Sequence, residues 1–92
     1  MIKSFKSKAL KEFFESEKSS KVPKDLQKRI KVRLDRLEQA EALADLSLPG
    51  FNFHALRGFN PTRYTIHING PWCITFAFNN GEASDVDLEQ YH

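Results

Sequence analysis

The sequence predicts an α+β fold, a small, mainly antiparallel sheet with two helices packed on one face. Three observations predict it. Apolar residues recur every three or four positions up to residue 37 and alternate singly after Pro49-Gly50. Asn69-Gly70 and Asn79-Asn80-Gly81 punctuate the alternating half as hairpin turns do. No apolar run approaches the roughly 18 residues of a membrane span.

Taken in order, Ile2-Lys3-Ser4-Phe5 alternates apolar and polar residues and reads as a short strand. Ser7 offers its hydroxyl as an N-cap for a helix through Glu15, with Leu10 and Phe13/Phe14 on one side. Residues 16–21 form a polar connection. Pro23 suits the first position of a second helix, where a missing N–H costs nothing. Leu26, Ile30, Leu34 and Leu37 then make an apolar stripe, and Lys24, Lys28, Lys31 and Arg36 fall away from it. A helical turn over residues 43–48 is stopped by Pro49-Gly50. Strands follow at 51–56, 63–68, 72–78 and 83–88, joined as antiparallel hairpins. With both helices on one side of the sheet, this is an α+β arrangement.

Ninety-two residues leave room for one domain, residues 1–92, without repeats or linkers. A chain this short buries only about 60 to 65% of the surface its unfolded form exposes, so the core must be efficient. Eight Phe, two Tyr and one Trp supply the bulk. One Cys cannot close an internal disulfide, and Met1 to Phe5 does not resemble a secretory leader. Both features point to a cytoplasmic protein with no membrane association.

The net charge of +2 hides an asymmetry. Residues 1–40 carry twelve Lys/Arg against six Asp/Glu, while residues 41–92 carry two against six. Charged helices are often only solvated surface, but a basic half also steers a polyanion. Strand parity sorts the sheet as well. Trp72, Ile74, Phe76 and Phe78 share one side with Tyr64, Ile66 and Ile68, and this apolar set belongs under the helices. Cys73, Thr75 and Ala77 then point the other way with Thr65 and His67, onto an expected open, polar face.

Four blocks carry a resemblance to a known family. They are Ile2 to Lys6, the run from Pro49-Gly50 through His54-Ala55-Leu56-Arg57-Gly58, the stretch from Tyr64-Thr65-Ile66 to Trp72-Cys73-Ile74-Thr75-Phe76, and Tyr91-His92. In order and spacing, over essentially the whole chain, they resemble the HigB toxins of the RelE-like superfamily. That resemblance implies a small sheet with two helices on it, and the toxin of a type II toxin–antitoxin pair. It further implies cleavage of mRNA on the ribosome without metal or cofactor. The ribose 2′-OH attacks the adjacent phosphate, which requires a base, a cation for the developing charge and an acid for the leaving oxygen.

By the resemblance, His54 is a candidate base or phosphate contact, and Arg57 keeps the charge of a position usually held by lysine. Tyr91 and His92 supply a stacking ring and a second imidazole. His suits proton transfer and Arg suits bidentate phosphate binding. Lys24, Lys28 and Lys31 become the expected contacts to ribosomal RNA. His67 matches no functional position and reads as a surface residue, and Asp85 with Asp87 read as solvated strand residues, too few ligands for a metal. The implied partners are a HigA-like helix-turn-helix antitoxin, the ribosome and mRNA, with operator DNA reached only through the antitoxin.

Two positions depart from the family. Cys73 stands where arginine usually follows the Trp, and Gln90 stands where an acidic residue usually precedes Tyr-His. A thiol cannot hold phosphate in a fork. A preorganised donor of this kind is worth on the order of 100- to 1,000-fold in rate. One consequence is an attenuated nuclease in which Cys73→Arg raises activity, with Arg57 compensating in part. The alternative is a weak or inactive homologue that binds the antitoxin and co-represses the operon. A Cys73-His nucleophilic pair and a general RNA-binding module rank below both.

Overall fold

The computed structural model describes residues 1–18 and 21–90. Helix α1 spans Lys8–Ser16, and the Ser7 side chain caps it by accepting the Leu10 N–H at 3.1 Å. It ends where Glu17 adopts a left-handed conformation, φ 58°, and returns its N–H to the Phe13 carbonyl. Pro23 precedes a single 3₁₀ turn, Lys24–Leu26, that leads into α2, Gln27–Gln39. The expected stripe is buried in full: Leu26, Ile30, Leu34 and Leu37 are each at most 3% exposed. A second 3₁₀ turn, Leu43–Leu46, occupies the predicted helical turn.

Four strands follow in the order of the chain: β1 His54–Leu56, β2 Arg63–Asn69, β3 Trp72–Asn79 and β4 Glu82–Gln90. All neighbours run antiparallel. Asn80 and Gly81 both have positive φ, 51° and 79°, and so form a two-residue hairpin turn between Asn79 and Glu82. In β4 the register slips between Thr75 and Ala77 of the partner strand, and Asp85 sits there with φ 49°. This β-bulge lets Ala83 and Val86, three residues apart, both point into the core.

Two strand expectations are corrected. The segment at residues 2–5 is not a full strand. It runs parallel along the free edge of β4 through isolated bridges, Ile2 to Ala83 and Phe5 to Val86, with Lys3 N–H on the Ala83 carbonyl at 2.7 Å. The strand expected over 51–56 shortens to its last three residues. Phe51 closes a turn onto the Leu48 carbonyl and Asn52 has φ 43°, which no ladder accommodates.

One hydrophobic core unites Leu10 and Phe13 of α1, the α2 stripe, and Ile66, Ile68, Ile74, Phe76 and Val86 of the sheet. Tyr64 and Phe53 stack beside Phe76 at its margin. The helix-facing side of the sheet is therefore the one that parity predicted. The other side differs from expectation, because Thr65, Cys73, Thr75 and Ala77 are 1%, 2%, 2% and 8% exposed. It is a covered floor and not an open surface.

Candidate functional site

That floor is the base of a concavity of about 460 Å³ on the side of the sheet away from the helices. Cys73 and Thr75 form its bottom. Leu56, Phe59 and Arg63 wall it from the β1–β2 side, and Lys6, Asp85 and Glu89 from the β4 side. Alternation within β2 and β3 explains the floor. Thr65 pairs with Thr75, and Cys73 pairs with Glu89, so these side chains share one face.

A chain of polar contacts crosses the concavity. Arg63 Nη2 donates to Thr75 Oγ1 at 3.0 Å and to the Asp85 carbonyl at 2.9 Å. The Thr75 hydroxyl in turn donates to the Glu89 carboxylate. A guanidinium and a carboxylate are thus held to either side of one buried hydroxyl. Cation, carboxylate and neutral thiol line one cleft, which suits recognition of an anion beside a group that accepts a proton.

Burial pushes the Cys73 thiol above its ordinary pKa, and the nearby Glu89 and Asp87 carboxylates push the same way. The Thr65 hydroxyl pulls in the opposite direction. Burial outweighs that pull, and Thr65 Oγ1 has no hydrogen bond of good geometry among the described residues. A buried thiol held neutral is a poor nucleophile, so the geometry gives no support to a Cys73-His pair.

The other sequence candidates lie in different places. His54 is exposed on β1 and paired with Thr65, so it shares the face of the concavity from the edge strand; its Nδ1 lies 2.9 Å from the Asn52 carbonyl. Arg57 is exposed in the turn that ends at Gly58, φ 86°, and does not line the concavity. His67 is half-buried on the same face as Cys73. Tyr91 and His92 lie outside the described residues. Gln90 is paired with Trp72, so the carboxylate that reaches the cleft is Glu89, one position earlier. Lys24, Lys28 and Lys31 are exposed on the helical side of the molecule, but Lys31 is engaged by Glu17 and Asp35. Among the described residues no three His, Cys, Asp or Glu side chains gather closely enough to hold a metal ion. Nor is any helix long and apolar enough to cross a membrane.

Sequence reasoning missed Arg63, Phe59 and Glu89. Arg63 was accessible from the parity that placed Thr65 and His67, because it lies two residues before Thr65 on the same strand. Phe59 belongs to no periodic segment, and only the course of the β1–β2 loop brings it to the rim.

Comparison with known proteins agrees with this architecture. The sequence profile of the RelE-like toxins of type II toxin–antitoxin system HigB matches residues 3–92. The chain is 38% identical to Endoribonuclease HigB of Proteus vulgaris, over the full length of both. It is also 29% identical over 73 residues to an uncharacterized protein of Haemophilus influenzae, covering 78% of this chain and 72% of that one.

Proposed function

The chain belongs to the HigB-like family of RelE-like toxins of type II toxin–antitoxin systems, and from that premise we propose that it is an endoribonuclease that cuts mRNA on the ribosome. The end-to-end relation to an endoribonuclease carries this reading. In the reaction we infer, the 2′-oxygen attacks the adjacent phosphorus and the P–O5′ bond breaks. A cyclic phosphate and a 5′-OH result. The proton of the 2′-OH passes to a base and another is delivered to the 5′-oxygen. His54 and the terminal Tyr91-His92 pair are the proposed proton-transfer and stacking groups. Arg57 and the concavity residues beside Cys73 are proposed to manage phosphate charge. Lys24 and Lys28, with Lys31 less free to contribute, form the proposed contact to ribosomal RNA. A HigA-like antitoxin is the proposed partner, with operator DNA reached only through it, and the cytoplasm is the proposed compartment.

The test is sequencing of mRNA 5′ ends in a translating extract with and without the protein. New ends with free 5′-hydroxyls inside coding sequences are expected. Deleting Tyr91 and His92 should remove them while leaving stability within about 1 kcal/mol, the scale of a change that leaves the core intact. An extract whose mRNA stays intact would refute the nuclease. One observation favours a second reading: the residue after Trp72 is a buried, neutral thiol where the family usually has arginine. In that reading the protein is a weakly active co-repressor, and expressing it without its antitoxin leaves growth unchanged.

A further inference from the structure

We infer that Phe59 and Arg63 form a nucleotide subsite for single-stranded RNA, in which the ring stacks on a nucleobase and the guanidinium holds the adjacent phosphate in place of an arginine at position 73. The RNA substrate class rests on the nuclease reading; the subsite itself rests on geometry.

Phe59 is 54% exposed, the one aromatic side chain among the large exposed hydrophobic residues described. Other rings, such as Phe13, Phe51 and Phe76, are buried, and Phe53, Tyr64 and Phe78 pack against the core. Its apolar surface faces water at the rim of the cleft, on the same wall as Arg63. An exposed ring beside a cation is the arrangement that receives unpaired bases, since every base offers a π-face.

Arg63 is half-buried and held in place, and among the described residues it makes no direct ion pair. Nη2 is held by a hydroxyl and a backbone carbonyl, both uncharged. Among the described residues the ion pairs found belong to Lys31, and neither Nε nor Nη1 of Arg63 has a partner. A preordered guanidinium with free donors suits a phosphate oxygen pair. It reaches from β2 across to Thr75, two residues from Cys73 on the same face of β3, so it brings a guanidinium into the concavity that Cys73 also lines. Lys6 and Arg63 face Asp85 and Glu89 around the rim, so the local charge nearly balances. Affinity there must come from stacking and one directed fork, with a shallow salt dependence.

The experiment uses the full chain and a short RNA with a 2′-O-methyl group at every sugar, which binds but offers no nucleophile. Phe59→Ala should weaken binding roughly 5- to 150-fold. Phe59→Trp in a Trp72→Phe background should keep affinity, and its fluorescence should be quenched as RNA is added. Arg63→Ala should weaken binding and lower the salt slope by about 0.7, one phosphate on a single strand. Adding Cys73→Arg to Arg63→Ala should restore both. Should that double variant not fold, Arg63→Lys serves instead, keeping the salt slope while losing affinity with the fork. If the chain cuts mRNA in extract while Phe59→Ala and Arg63→Ala bind and cut like the parent, the subsite is overturned and the nuclease stands. Binding lost in both variants by a chain that cuts nothing would support the subsite and refute the nuclease. Unchanged RNA binding with altered self-association would assign Phe59 to a protein contact and overturn the inference.

Discussion

At Cys73 the side chain is 2% exposed, opposite Glu89 on the neighbouring strand. Two consequences follow from that burial. The thiol is favoured in its neutral form, so alkylation at pH 8 by iodoacetamide should be far slower in the native protein than in urea; equal rates would contradict the burial. The sign of the pH effect is also fixed. The folded pKa lies above the unfolded one, so the stabilisation is fully present below the unfolded value. It is lost as pH rises through the folded value. Between pH 8 and 11 the parent should therefore lose more stability than Cys73→Ala, as measured by urea midpoints. The position that sequence parity assigns to an open surface holds, in three dimensions, a buried thiol in the concavity that Arg63 also lines.

Among the elements, the helix start at Ser7 has the most direct physical origin. A hydroxyl one residue before Lys8 satisfies an N–H that the helix itself leaves unpaired. Ser7→Ala should cost about 1 kcal/mol and Ser7→Asp should retain most of it, both read from urea midpoints. An unchanged midpoint for Ser7→Ala would mean that burial of Leu10 and Phe13 alone sets the helix. The two helices, the hairpin turns and the helix-facing side of the sheet were legible in the sequence because each is a local rule of period, cap or turn. The N-terminal edge pairing was not, because Ile2 and Ala83 are brought together only by tertiary structure. Neither was the bulge at Asp85, which shifts parity by one and turns Glu89, not residue 90, toward the cleft. The covered face was misread for a related reason. Alternation tells which side a residue takes, but not whether a long side chain such as that of Arg63 reaches across it to Thr75.

At the scale of the molecule, the exposed lysines around α2 and the cleft lie on opposite sides of the sheet, while Lys6 reaches the cleft itself. Lys24 and Lys28 are exposed around α2, whose stripe packs on the sheet face carrying Ile66 and Phe76. The concavity opens from the other face, in a molecule whose smallest extent is 24 Å. At physiological salt the screening length is only about 8 Å. The helical lysines therefore contribute little field at the cleft, and each surface needs its own nucleic-acid partner. This separates two variants that would otherwise both be scored as weak RNA binders. Lys24→Glu with Lys28→Glu should reduce cosedimentation with ribosomes and flatten the salt slope by roughly 1.4 to 1.8, the loss of two phosphate contacts. The same pair should leave binding of a short single-stranded RNA within about twofold, because that strand occupies only the cleft. Lys31→Glu should add less than either, since Glu17 and Asp35 already engage Lys31. Were the lysine pair to weaken short-RNA binding and ribosome binding equally, one continuous surface would carry both. The division of labour between helix side and cleft would then be wrong.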